Sequence, residues 1–242
     1  MPGRVSDNVY VNAATGNLVV QRQDEFLIGL GPDSAISRTY NSLGAMSGET
    51  DNWGLNVQRT VNGLTGTVNT AGSTITRTDE SGTQVLYVYV SSLSAYQTKE
   101  GSGAHDRLTF SGSTWTWTEG SSQVTETYDN NNGGRITSAS DTEGHSLTYT
   151  YNSTTGALSR VTTADGGYTD FVYTGANLTQ LTTVSGGVTT NRTRYAYDTE
   201  DRLIKVTVDK SPTDGVITDG ETYVTNYSYL TGTRRINQVW SD

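Results

Sequence analysis

An all-β fold is predicted by three features of this sequence: its composition, short runs that alternate at period two, and a tyrosine-centred phrase that recurs at near-constant spacing. The chain has 242 residues, of which 15 are Tyr and 27 Gly, against only 3 Pro and 2 Met. Thr and Tyr fit a pleated, half-buried surface. The Glu, Lys, Ala and Leu that solvent-facing helices require are sparse. Length allows one large β-domain or two ordinary ones.

The elements follow in order. NVYVNAATGNLVVQRQDEF (8–26) predicts a hairpin with NAATGN as its turn. AISRTYNS (35–42) and GLNVQRTVNG (54–63) predict strands, DESGTQVLYVYV (79–90) a turn and strand, and DRLTFSGSTWTWTEG (106–120) a strand, a GS turn and a second strand. Residues 1–120 are expected to form an irregular hairpin region that opens the array and continues into one sheet with the rest. Residues 121–242 carry the repeats.

The repeats align on Tyr128, Tyr151, Tyr173, Tyr197 and Tyr229, at intervals of 23, 22, 24 and 32 residues. The long interval contains SPTDGVITDG (211–220), which is expected to be a loop extension. The best-kept units read Tyr128-Asp129, Gly134-Arg135-Ile136 and Tyr197-Asp198, Arg202-Leu203, Val206. The others keep Tyr151, Gly156, Leu158 and Val161; Tyr173 and Leu178; and Tyr229, Ile236 and Val239.

Local chemistry gives one unit its form. In SLTYTYN (146–152), Leu147, Tyr149 and Tyr151 alternate with Ser and Thr, the pattern of a strand with one buried face. NSTTG (152–156) is a turn, ALSRVTTA (157–164) a second strand and DGG (165–167) a second tight turn. The spacing of three between Leu158 and Val161 breaks alternation and predicts a bulge or twist. Where an Asp or Asn follows the Tyr, it is placed to bond the backbone of its own turn. A lone hairpin buries too little surface to stand, so neighbours must stack.

The phrase Y-D-x-x-G-R-L-x-x-V, followed by D-x-x-G and Y-x-Y, resembles the Rhs/YD-repeat family of bacterial Rhs and wall-associated proteins, Tc-toxin shell subunits and teneurins. VNAATGNLVVQRQDEFLIGLGPDSAISRTYNS is similar to the segment that opens such arrays. The likeness covers essentially the whole chain, most closely at 8–44 and 124–208. It departs where Thr174 and Leu230 replace the acid after Tyr, and where Ile36 stands for a common Leu.

The resemblance implies a spiralling antiparallel strip that forms part of a hollow β-shell, around a toxin domain or displayed at the cell surface. The family's self-cleaving protease core and variable toxin segment find no counterpart in 1–242, and the array stops mid-phrase at Asp242. The expectation is therefore a structural, non-enzymatic segment with no catalytic residue. Open strand edges would serve to pair with further copies or further repeats.

Other chemistry is narrowed residue by residue. A net charge of −9 argues against nucleic acid, which needs clustered Lys and Arg. No apolar run approaches the roughly 18–20 residues that span a bilayer, and the N-terminal stretch has no apolar signal core. The absence of Cys excludes disulfides, Cys-ligated metals and thiol catalysis. A cysteine-free, acidic, Thr/Asn/Gly-rich chain is typical of bacterial secreted or surface polypeptides.

His105 and His145 lie beside turns with no partners to nominate. Asp198, Glu200 and Asp201, or Asp209, Asp214 and Asp219, lack the D-x-D-x-D-G spacing of a calcium loop. No cofactor or metal is expected. A second function class, a carbohydrate-binding or adhesive module able to polymerise into a fibre, would use aromatic rows that contact surface glycans. Trp115 and Trp117, on one face of a strand, are its best candidates.

Overall fold

A computed structural model describes residues 8–44, 52–98 and 105–241. The described residues form twenty strands and three single 3₁₀ turns, with no α-helix. Strands β1 (Asn8–Asn12), β2 (Asn17–Leu27), β3 (Ser34–Asn41) and β4 (Trp53–Leu55) make a four-stranded antiparallel sheet in sequence order. This is a correction to the single continuous sheet expected for 1–120: the opening segment is a separate layer.

The predicted strand over 54–63 is also two elements, β4 and β5 (Thr60–Thr65). Side chains interrupt it. Asn56 Oδ1 accepts from Ser37 N at 2.8 Å and Gln58 Oε1 from Leu55 N at 3.0 Å, which turns the chain out of the first sheet.

The remaining strands share one sheet. β5, β6 (Thr74–Thr78), β7 (Gln84–Val90), β8 (Ala95–Gln97), β9 (Arg107–Ser111), β10 (Thr114–Thr118), β11 (Thr125–Asp129) and β12 (Arg135–Ser140) pair in sequence, and β12 returns to β5 to close an eight-stranded barrel. The barrel runs across residue 120, so the first repeat unit is part of its wall. At the seam Val61 N donates to Gly134 O at 2.7 Å and Ile136 N to Arg59 O at 3.1 Å. A Cβ on Gly134, whose φ is +69°, would lie 1.8 Å from Val61 O. Only glycine fits a position that needs both a left-handed backbone and this approach.

Eight strands leave an interior that side chains can fill. Alternate residues do so, among them Ile75, Tyr87, Tyr96, Leu108, Trp115 and Trp117, all buried.

From the barrel the sheet continues as a strip: β13 (Ser146–Tyr151), β14 (Leu158–Thr162), β15 (Tyr168–Thr174), β16 (Asn177–Ser185), β17 (Val188–Tyr197), β18 (Leu203–Asp209), β19 (Thr222–Tyr229) and β20 (Ile236–Ser241). β12 is the branch point. The same edge pairs with β5 at Arg135 and with β13 from Ser138 to Ser140. The first sheet packs across the strip, and β2 touches β15, β16 and β17.

Candidate functional site

Every repeat unit has the same bulged hairpin. Tyr128 lies opposite Ile136, Tyr151 opposite Leu158, Tyr173 opposite Leu178, Tyr197 opposite Leu203 and Tyr229 opposite Ile236. One step inward, each outgoing strand carries an extra residue, the bulge expected from the Leu158–Val161 spacing. The extra residue brings a position three after the Leu or Ile back to the inner face. Hence Val161 faces Tyr149, Leu181 faces Phe171, Val206 faces Tyr195 and Val239 faces Tyr227.

The phrase also joins one unit to the next. Tyr151 OH donates to Ile136 O at 2.8 Å, Tyr197 OH to Leu178 O at 2.9 Å and Tyr229 OH to Leu203 O at 2.7 Å. Each tyrosine thus fastens to the bulged strand of the preceding unit. Burial pushes the Tyr151 hydroxyl pKa well up and keeps this donor protonated. Tyr128, whose predecessor is barrel wall, donates instead to Glu126.

Arginine adds a second link. Arg135 lies 4.1 Å from the Tyr151 ring centre and donates to Gly156 O at 2.9 Å. Arg202 lies 5.2 Å from the Tyr229 ring centre and donates to Thr233 O at 3.0 Å. The acid after Tyr closes its own turn, as its position predicts. Asp198 Oδ1 accepts from Glu200 N at 2.9 Å and Arg202 N at 3.0 Å, and Oδ2 accepts from Arg202 Nε at 2.8 Å. Burial works against the Asp198 carboxylate, but these bonds hold its pKa below the usual range. Asp129 Oδ1 accepts from Asn131 N at 2.9 Å. Gly156, at φ +74°, takes the left-handed turn position.

Two buried ionic clusters organise the layers. In the barrel, Glu126 pairs with Arg59 and, at 2.7 Å, with Arg77, which also donates to Tyr128 OH at 3.0 Å. Burial disfavours the Glu126 charge, and attraction to Arg59 and Arg77 outweighs it, so its pKa lies below the ordinary carboxylate value. Between sheet and strip, Arg38 grips Asp24 through Nε at 2.8 Å and Nη2 at 3.1 Å, while Tyr195 OH donates to Asp24 at 2.7 Å. Glu25 accepts from Thr183 at 2.8 Å and Thr193 at 2.7 Å. Sequence reasoning missed these residues. Their signal was a charge at an inward position of an alternating strand, as Arg77 stands two residues from Ile75.

Trp115 and Trp117 do share one face, but it is the barrel interior. Trp115 is 0% exposed and Trp117 8%. Their indoles donate to Asn130 Oδ1 at 3.1 Å and Tyr87 OH at 3.0 Å. As a glycan platform they are corrected to core residues: the alternating TWTWT run turns both rings inward.

His145 Nδ1 lies 3.1 Å from Asp141 Oδ2 in a turn pressed against Gly31. His105 packs against Gly120. Among the described residues no group of three His, Asp or Glu side chains is placed to hold a metal. A cleft of about 60 Å³ between β4 and the strip is lined by Trp53, Tyr173, Tyr195 and Tyr197. That is far below the roughly 300–1,000 Å³ of ordinary ligand pockets, whereas an open hollow of about 470 Å³ beside β8, β9 and β10, lined by Gln97, His105, Arg107, Thr118 and Gln123, falls within that range. Asp242 lies outside the described residues, and no described helix is long and apolar enough to cross a membrane.

The tyrosine, arginine and carboxylate groups described above are engaged in links between units and between layers. Neither a scan against protein-family models nor a search of curated proteins found a match for this chain.

Proposed function

We propose that this chain is a structural, non-enzymatic segment of a secreted or cell-surface Rhs/YD-repeat protein, and that it builds wall for a β-shell that encloses a toxin domain or serves surface display. The observation that carries this reading is the recurring bond from a unit's tyrosine hydroxyl to the bulged strand before it, at Ile136, Leu178 and Leu203. A chemistry that repeats with the unit serves extension. A catalytic site would concentrate at one place. The first sheet then lines the inner face of the strip, and the barrel closes one end of it.

Electron microscopy of the native polypeptide that contains this segment, purified from its source, tests the reading. Hollow particles with a β-wall are expected. A compact solid particle, or turnover of a substrate lost on mutation within this segment, would refute it.

A further inference from the structure

The barrel closes at one short seam, and both sides of that seam carry the same fragile dipeptide. Of the asparagines in the chain, Asn62 and Asn132 alone are followed by glycine, and they stand 70 residues apart. Asn62 directly follows Val61, whose N–H donates to Gly134 O at 2.7 Å, and Asn132 lies two residues before Gly134. Closure of β5 onto β12 therefore brings both Asn-Gly steps to the two ends of one hydrogen bond.

Such a step has its own chemistry. The glycine nitrogen attacks the carboxamide carbon of the asparagine, a new C–N bond closes a five-membered succinimide, and ammonia leaves. Water then opens the ring at either carbonyl. One opening gives aspartate. The other gives isoaspartate, in which the main chain runs through the former side chain. The balance is amide plus water to acid plus ammonia, with no other co-reactant. A side chain on the second residue hinders the attack, and glycine has none.

Local structure leaves both steps open to it. Asn62, Gly63, Asn132 and Gly133 are exposed, whereas Val61, Gly134 and Ile136 beside them are buried. Gly63, at φ +71°, falls in a bulge, because β5 pairs with β6 at Asn62 and next at Thr65. Gly133 ends the 3₁₀ turn Asn130–Asn132 at φ +75°, and among the described residues its N–H makes no capping bond. In the comparable turn Ser91–Leu93, the Ser94 N–H is held by Ser91 O at 3.2 Å. The Gly133 nitrogen is left as the nucleophile.

Of the two, Asn132 has the larger consequence. Its Nδ2 donates to Asp129 Oδ2, so deamidation sets two carboxylates against each other in place of that bond. Isoaspartate also lengthens the main chain between 132 and 133 by one atom. Gly134 cannot absorb the change. Its N–H is bonded to Asp129 O at 2.9 Å, and it lies too close to Val61 to admit even a methyl group. The same turn anchors the core, since the Trp115 indole donates to Asn130 Oδ1 at 3.1 Å. We propose that Asn132–Gly133, with Asn62–Gly63 as the slower second step, is a spontaneous deamidation site whose product unlocks the barrel seam. The site goes beyond the scaffold reading and does not depend on what the wall encloses.

The test ages the whole purified chain in warm, mildly alkaline buffer, which favours the deprotonated attacking nitrogen. Peptide mapping by mass follows the gain of one mass unit, and hydrogen exchange follows the Val61 and Ile136 amides. The peptide that holds Asn132 is expected to gain mass first. Asp165, Asp214 and Asp219, which also precede glycine, isomerise with no change of mass and leave this readout clean. In the aged fraction, exchange at Val61 and Ile136 should quicken about tenfold or more, the effect of losing a buried hydrogen bond, while the Val206 amide of the strip stays as slow as before. Asn132→Gln keeps the amide and removes the five-membered ring, so its seam should stay closed through the same treatment.

Mass gain that begins at any other asparagine would overturn the site. Isoaspartate at 132 with seam exchange unchanged would overturn its coupling to the barrel. Quickening that persists in aged Asn132→Gln would transfer the effect to Asn62 and overturn the assignment to Asn132.

Discussion

The phenolic oxygen of Tyr229 donates to the main-chain carbonyl of Leu203 at 2.7 Å, across two different repeat units. Leu203 is itself the residue that faces Tyr197 within its own hairpin. One leucine therefore belongs to two units, through its side chain to one tyrosine and through its carbonyl to the next. This sharing explains why tyrosine and leucine recur together at fixed spacing.

The arginine link predicts a modest, specific cost. Arg135→Lys and Arg202→Lys keep the charge and lose the planar contact with ring and carbonyl. Arg135→Lys should lower unfolding free energy by about 0.5–1 kcal/mol, and Arg202→Lys should destabilise in the same direction. Arg107→Lys, at an exposed position with no such link, should be near neutral. Urea denaturation of the three variants makes the comparison.

The barrel seam predicts a sharp contrast between two glycines. Gly112, at φ +61°, has nothing within 4 Å of where an added methyl would sit, so Gly112→Ala should cost only about 1 kcal/mol of backbone strain. Gly134→Ala must also push β5 away, since the methyl would lie 1.8 Å from Val61 O. Its loss should be several-fold greater, and exchange at the Val61 and Ile136 amides should quicken before global unfolding.

The buried charges predict both a stability loss and a pH dependence. Glu126→Gln removes the buried carboxylate from Arg59 and Arg77 and leaves only the exposed Glu80, 3.9 Å from Arg77, a change worth about 3–5 kcal/mol. A folded-state pKa depressed below the unfolded value near ~4.3 adds stability above that pH, which is lost as pH falls through the folded value. The parent should therefore weaken on acidification below about pH 4, and the Glu126→Gln variant should lose part of that dependence. Thermal unfolding across pH 2–6 reads the difference.

Burial of the barrel tryptophans predicts that Trp117→Ala costs about 3–5 kcal/mol. A surface aromatic used for sugar contact would cost little on removal. Differential scanning calorimetry decides between the two.

Much of the strip was legible in the sequence because its rules are local. Alternation in SLTYTYN, the Asn and Asp turns, and the Leu158–Val161 spacing each report on neighbours within one hairpin, and the structure has strand, turn and bulge there. Closure of β12 onto β5 was not legible, since it joins residues 135 and 60 through a glycine whose role depends on a distant strand. The layering of the first sheet was hidden likewise. Asp24, Glu25 and Arg38 look like ordinary polar strand residues until β16, β17 and β19 supply their partners. Trp115 and Trp117 had the right parity and the wrong side: alternation tells which residues share a face, and only closure tells which face is inside.

The most direct measurement of the unit-to-unit link is the unfolding free energy of Tyr151→Phe, Tyr197→Phe and Tyr229→Phe, alone and combined. Each hydroxyl removed should cost about 1 kcal/mol. The triple variant should lose about 3 kcal/mol, because the three bonds share no partner and separate sites add. Near-zero loss in the triple variant would contradict the account, and the recurring tyrosine would then be a packing residue alone.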